Sequence, residues 1–201
     1  MLQFLIATSS YLFLMRIVAR YGSTAVAGFT IGIRIFMFTL LPAWGLGNAA
    51  ATLVGQNLGA GDPGRAERSV WRAAKYNVLF LVGVAIVFIL FADTLVGFFS
   101  SDPAVLAYGA GCLRIVSYGY GLYAVGMVVT QAFNGAGDTD TPTWINLFCF
   151  WLLQIPLAYL LAEWLGYGPR GVYAAVTIAE CAMAVLAVIV FRRGGWKQKI
   201  V

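Results

Sequence analysis

The chain has 201 residues, of which 61% are hydrophobic and 10% are charged, and its formal net charge is +5. A soluble domain carries about a quarter charged residues, so this composition excludes an ordinary water-soluble protein and predicts an all-α integral membrane protein. The chain has no histidine, which removes most catalytic dyads. We therefore expect no enzyme, no catalytic residue, no cofactor and no metal site.

Six apolar segments follow one another along the chain, each long enough to cross the hydrocarbon of a lipid bilayer. They are residues 2–20, 25–54, 71–99, 104–133, 142–164 and 171–193. The connections between them are short and rich in Gly, Pro and Asp, which makes neighbouring helices antiparallel. No segment resembles a linker. The sequence predicts one six-helix transmembrane bundle over residues 1–201.

Basic residues predict which end of the bundle faces the cytoplasm. One cluster follows the second segment and a second cluster follows the sixth, and an even number of spans puts both on the same side. The clusters are Arg65, Arg68, Arg72 and Lys75, and Arg192, Arg193, Lys197 and Lys199. We expect a multi-pass protein of the cell inner (plasma) membrane with a cytoplasmic C-terminus. Apolar flanks disfavour a nucleic-acid partner.

The short motif Gly-Ala-Gly-Asp occurs twice, 76 residues apart, within "QNLGAGDPGRAER" and "QAFNGAGDTDTP". Both copies fall on the predicted cytoplasmic side, and glycine suits a left-handed helix C-cap. The turn positions are Gly59, Gly61, Asp62, Gly135, Gly137 and Asp138. Gly59 and Gly135 are the predicted caps, and Asp62 is predicted to cap the next helix. An anion site is the alternative, although no phosphate-loop lysine is present.

Three charged side chains lie deep inside predicted spans: Arg34, Arg114 and Glu180. Each stands nine or ten residues from a span end, which is about 13–15 Å from the interface. An unpaired charge at that depth costs free energy, so we expect an ion-pair cluster with Glu180 as the counter-ion. The alternative role is a proton or cation site.

Polar and aromatic side chains recur at four-residue spacing in two spans. Trp44, Asn48 and Thr52 share one face of the second span, and Asn146 and Gln154 share one face of the fifth. Such faces suit a cavity that accepts flat organic cations through cation–π contacts and hydrogen bonds. They also suit ordinary interhelical hydrogen bonds.

Two prolines fall inside predicted spans, Pro42 in the second and Pro156 in the fifth. Proline removes one helical hydrogen bond and clashes with the preceding turn, so both are predicted helix kinks. In transporters, such interruptions expose carbonyl groups or act as hinges.

Long motifs carry a resemblance to a known family. "TLVGQNLGAGDPGRAERSVWRAAKY", "VVTQAFNGAGDTDTPTWINLFCFWLLQIPLAYLLAEWLGYGPRGVYAAVTIAE" and "FRRGGWK" resemble the C-terminal half of multidrug and toxic compound extrusion (MATE) transporters, in the bacterial DinF-like branch. The resemblance implies twelve helices in two lobes, with this chain similar to helices seven to twelve. It also implies export of small organic cations or drugs, driven by a proton (H+) or sodium (Na+) gradient.

The partners implied are the lipid bilayer and a missing N-terminal six-helix lobe, or a second copy of this chain. Residues 2–20 and 104–133 contain no Asp or Glu, so the resemblance gives no support for the carboxylates that sodium-coupled members carry there. Two alternatives to an efflux antiporter stay open. One is a flippase for lipid-linked substrates, and the other is a truncated membrane domain that does not transport.

Overall fold

Helices make up nearly all of the computed structural model, which describes residues 2–198. Lys199 of the second basic cluster lies outside these residues. Eight α-helices occur in the described part of the chain. They are α1 (Leu2–Ala19), α2 (Ser23–Gly59), α3 (Pro63–Gly97), α4 (Pro103–Ser117), α5 (Tyr120–Gly135), α6 (Asp140–Asn146), α7 (Ile155–Tyr159) and α8 (Pro169–Arg192).

Five helical segments within residues 2–198 are long and apolar enough to cross a membrane, and α4 with α5 forms a sixth if the pair is counted as one span. The helices begin and end beyond some predicted limits. In particular, α2 continues to Gly59 and α3 starts at Pro63, so both extend past the apolar stretch into the polar turn between them. The carboxylate of Asp62 caps the first turn of α3, so this helix begins at the turn rather than inside the apolar stretch.

The fourth predicted span is broken rather than continuous. Helix α4 ends at Ser117, α5 begins at Tyr120, and the two axes differ by 62°. The break lies against α8, where a Cβ added to Gly119 would lie 2.8 Å from Cγ2 of Thr177. The Thr177 hydroxyl donates a hydrogen bond of 3.2 Å to the carbonyl of Ile115, and so provides a partner for backbone next to the break.

The fifth span changes its hydrogen-bonding period twice. Between α6 and α7 the chain is π-helical over Leu147–Gln154, and after α7 it is π-helical again over Leu160–Trp164. Pro156 lies in the short α-helical piece between them. A proline cannot donate the regular backbone hydrogen bond, so the helical hydrogen-bonding pattern is interrupted at this residue. Pro42, in contrast, lies inside the continuous helix α2. The wider period shifts which side chains of this span face inward.

The two Gly-Ala-Gly-Asp turns have the same backbone geometry. The left-handed residues are Gly61 (φ +74°) and Gly137 (φ +75°), and the amides of Asp62 and Asp138 donate back to Asn57 and Phe133 in matching hydrogen bonds of 2.9 Å. This is the pattern of a Schellman C-cap. Assigning the caps to Gly59 and Gly135 is therefore wrong by two residues, because each helix continues through the first glycine of its motif.

Packing follows these turns. Helix α2 lies at the centre, against α3, α4 and α5, and α8 packs on α5 and α4. The carbonyl and Cα of Ala51 in α2 touch the space that a Cβ would need at Gly135 in α5, so the two backbones meet directly beside the turns. The last described turn folds back on the bundle, where Trp196 is 1% exposed and stacks on Phe191 with ring centroids 4.6 Å apart.

Candidate functional site

An open cavity of about 650 Å³ lies among α1, α2, α5, the fifth span and α8. Its walls combine aromatic rings, methionine side chains, amides, hydroxyls and one carboxylate. They are Leu2, Gln3, Phe4, Ala7, Trp44, Tyr123, Met127, Thr130, Gln131, Asn134, Thr139, Asp140, Thr143, Asn146, Phe150 and Met183. None of these lining residues is Lys or Arg. The cavity has the size and the mixed lining typical of small-molecule sites.

A chain of amide groups lines one side of the cavity. Gln3 Nε2 donates a 3.0 Å hydrogen bond to Oδ1 of Asn134, whose own Nδ2 donates a 2.9 Å bond to Oε1 of Gln131. These bonds fix the amide orientations and join α1 to α5 near the second Gly-Ala-Gly-Asp turn. The neighbouring part of the wall is adaptable, since the flexible side chains of Met127 and Met183 can repack around ligands of different shape.

The predicted cavity residues separate into two groups. Trp44 and Asn146 line the cavity, whereas Asn48, Thr52 and Gln154 do not. Asn48 and Thr52 are exposed on the face of α2 that carries Trp44. Gln154 is 5% exposed and accepts a 2.9 Å hydrogen bond from the Ser10 hydroxyl, which ties α1 to the fifth span. A role in substrate binding stays a prediction for all five.

Most of the polar lining comes from residues that the sequence analysis did not predict. Gln131 and Asn134 stand three residues apart in α5, and Asp140 begins α6 just after the turn. Amides inside an apolar span, one helical turn before a predicted hairpin, were the pattern that could have identified them. The contribution of Gln3 depends on the packing of α1 against α5 and leaves no local trace in the sequence.

Glu180 lies in the core and is not among the residues that line this cavity. It is 6% exposed, and its Oε2 atom is buried without a hydrogen-bond partner among the described residues. Thr177 and Ala184, one turn to either side, contact Gly119 and Gly126 of the neighbouring span. Glu180 is therefore held against the broken fourth span, at the level where α4 gives way to α5.

The predicted cluster of Arg34, Arg114 and Glu180 is not formed. Arg114 Nη2 contacts Asp93 Oδ2 at 2.5 Å, and its Nε donates to the carbonyl of Ile89 at 3.3 Å. Arg34 is exposed on α2. No cation of residues 2–198 forms an ion pair with Glu180. The predicted cluster required a straight fourth span, but this span is bent between α4 and α5. Arg114 pairs instead with Asp93, which lies one turn before the end of α3.

The fold and the cavity define a class, that of polytopic α-helical membrane proteins with a cavity of small-molecule size. The MatE family model matches residues 1–160 of the chain. Because that match covers most of the chain, the protein belongs to the MatE family of multidrug and toxic compound extrusion transporters. Members of this family are transporters rather than enzymes.

Relatives and solved structures agree with this assignment. The chain is 26% identical to "Probable multidrug resistance protein NorM" of Thermotoga maritima, over 90% of this chain and 39% of that protein. It is 28% identical to "Probable multidrug resistance protein YpnP" of Bacillus subtilis, over 98% of this chain and 44% of that protein. Among structures, "MATE transporter ClbM in complex with Rb+" aligns with a TM-score of 0.91 and 25% identity, over 100% of this chain and 47% of that one.

The chain thus spans about two-fifths of the length of the curated relatives that it matches. One solved relative was determined with a rubidium ion.

Proposed function

We propose that this chain forms one six-helix lobe of a secondary active efflux antiporter for small organic cations and drugs. The observation that carries the proposal is the chemistry of the cavity. Its lining offers the rings of Trp44, Tyr123 and Phe150 for cation–π and stacking contacts, and Asp140 as its one charged group. A flat cation with apolar edges fits such a lining.

The same lining argues against a flippase for lipid-linked substrates. Such substrates carry phosphate groups, which are recognised by guanidinium and ammonium groups. Arg34 and Arg114, the two deep cations of the predicted spans, are absent from the lining described for this cavity. A phosphate in the cavity would meet Asp140 and amides without a cation to balance it.

We propose that Glu180 is the residue that binds the coupling ion. A carboxylate removed from water without a counter-ion costs several kcal/mol, so the group is held either as the neutral acid or beside a bound cation. Glu180 has no cationic partner among the described residues. Both H+ and Na+ satisfy this requirement. In this proposal the chain is a multi-pass protein of the inner membrane, and its C-terminus lies in the cytoplasm.

Binding of ethidium to the purified chain in lipid nanodiscs tests the cavity. We expect saturable binding that Trp44→Ala weakens about 3- to 30-fold, the equivalent of one cation–π contact. Asp140→Asn should weaken binding as well, because the cavity then loses its only carboxylate.

Matched controls are available in the same chain. Trp164 is 79% exposed and lies outside the cavity, so Trp164→Ala should leave ethidium affinity unchanged. Fluorescein, which is flat but anionic, should bind at least about tenfold more weakly than ethidium. Equal binding of both dyes, or equal loss in the Trp44 and Trp164 variants, contradicts the proposal.

A further inference from the structure

A second pocket of about 590 Å³ lies between the later half of α2 and the first half of α3. It is separate from the organic-cation cavity, and the two share no lining residue. Because α2 and α3 are antiparallel and meet at the Gly-Ala-Gly-Asp turn, both walls run from that turn toward the middle of the bundle. We call it the α2–α3 groove.

The turn end of the groove is strongly basic. Arg65, Arg68 and Arg72 all line it, at the three- and four-residue spacing that places side chains on one face of a helix. All three are exposed. The ion pairs found within residues 2–198 engage other cations, so no carboxylate neutralises these guanidinium groups there.

Nearby acidic residues are already engaged. Asp62 uses Oδ1 to cap α3 through the backbone amide of Arg65, at 2.7 Å. Glu67, on the other side of α3, pairs with Lys197 at 2.5 Å. None of the three guanidinium groups is in an ion pair within residues 2–198, so three arginines against one capping aspartate leave this end of the groove with a net positive charge.

The other end of the groove is apolar. Leu46 and Leu53 of α2 and the ring of Tyr76 in α3 line it. The polar and the apolar end of each wall are 11 positions apart in sequence, from Asn57 to Leu46 and from Arg65 to Tyr76. That separation corresponds to about 16 Å of helix. An occupant that matches the groove must be anionic at one end and hydrocarbon along the other.

We propose that the α2–α3 groove binds an anionic glycerophospholipid, with its phosphate on the arginines and an acyl chain along Leu53 and Tyr76. Guanidinium groups bind phosphate oxygens through paired, charge-assisted hydrogen bonds. The Arg-rich turn is on the side that the distribution of basic residues assigns to the cytoplasm, where the leaflet is rich in anionic lipid. This proposal does not depend on the transported substrate.

Thermal unfolding of the full chain in a mild uncharged detergent provides the test. Dioctanoylphosphatidylglycerol is titrated in, with dioctanoylphosphatidylcholine and inorganic phosphate as separate arms. We expect phosphatidylglycerol to raise the Tm saturably, because a ligand that binds only the folded state stabilises it. Phosphatidylcholine tests the need for net negative charge, and phosphate tests the need for the acyl chain. Both should raise the Tm by much less.

The double variant Arg68→Gln/Arg72→Gln should bind phosphatidylglycerol at least about tenfold more weakly, with an unchanged Tm in the absence of lipid. The matched control is Lys75→Gln/Arg193→Gln, which removes the same charge from exposed residues outside the groove. It should respond to the lipid as the parent does. Equal weakening in both double variants would mean general charge attraction. That result, or an equal response to phosphatidylcholine or to phosphate alone, overturns the proposal.

Discussion

Glu180 is a buried carboxyl group whose nearest structural feature is a break in a neighbouring helix rather than a cation. Its helix α8 contacts the broken span through Thr177 and Ala184, on either side of it. The Oε2 atom of Glu180 has no hydrogen-bond partner among the described residues, so this carboxyl group keeps the hydrogen-bonding capacity that the proposed coupling role requires.

Arg114 and Glu180 should behave as independent residues in a double-mutant cycle of unfolding free energies. Coupling of Arg114→Gln with Glu180→Gln should fall within about 0.3–0.5 kcal/mol of zero, because the two groups form no ion pair. Coupling of Arg114→Gln with Asp93→Asn should be measurable but small, about 0.2–1 kcal/mol, since the side chains are 38% and 66% exposed. If Arg114 couples more strongly to Glu180 than to Asp93, the prediction of independence is wrong and the ion-pair cluster is supported.

At this scale the sequence predicted identities better than contacts. Glu180 could be recognised as exceptional because a carboxylate in an apolar span is rare. Its partner could not be assigned, because the depth of Arg114 depends on the bend at Gly119, which is set by packing against Thr177. Trp44 and Asn146 were predicted for the cavity from their spacing, but Gln3 reaches it only through the tertiary contact with Asn134.

The two Gly-Ala-Gly-Asp turns are one structural element used twice. Each begins with a Schellman cap, and each aspartate then accepts a hydrogen bond from an amide three residues later, at 2.7 Å for Asp62 and at 3.4 Å for Asp138. The motif predicted both turns, since left-handed glycine and an aspartate cap are local properties. The glycine that must be left-handed depended on where each helix ends, and a sequence defines such ends poorly.

Gly59 and Gly135 hold equivalent places in the motif but should differ sharply on substitution. Gly135→Ala should lower the free energy of unfolding by about 1–3 kcal/mol, because the new methyl group would overlap the backbone of Ala51, whose Cα would lie 2.6 Å away. Gly59→Ala should be neutral or slightly stabilising, since no atom lies within 4 Å of its Cβ position and α2 continues through it.

Chemical denaturation of the two variants in the same detergent measures both effects, with Gly61→Ala as a third comparison. Gly61 is left-handed, so an added Cβ should cost about 1–2 kcal/mol. If Gly59→Ala destabilises as much as Gly61→Ala, the cap belongs to the first glycine after all. If Gly135→Ala leaves the free energy of unfolding unchanged, α2 and α5 do not approach each other as closely as described.

The described residues form one bundle of helices, and α1, α2, α5, the fifth span and α8 together line the organic-cation cavity. Alternating access in secondary transporters works by the rocking of one repeat or bundle against another around a central site. The composition predicted the membrane, and the spacing of apolar segments predicted the bundle. The full lining of the cavity could not be predicted, because it results from the packing of α1, α2, α5, the fifth span and α8, most of which are distant in sequence.

Reconstituted alone in liposomes, the chain should bind ethidium but should not move it across the membrane under either a proton or a sodium gradient. The binding measurement is the control for folding, and protein-free liposomes give the leak rate. Gradient-dependent flux above the leak rate would mean that a single lobe, or a pair of identical lobes, is enough for transport.

The bend between α4 and α5 also determines how this part of the chain fits the thickness of a bilayer. A straight helix over the same residues would be about 50 Å long, well beyond a hydrocarbon core of about 30 Å. Turning the axis by 62° at Gly119 shortens the end-to-end distance to about 40 Å, close to the thickness of a bilayer with its headgroups. The bend therefore lets a helical segment this long match a bilayer that it would overrun as a straight helix.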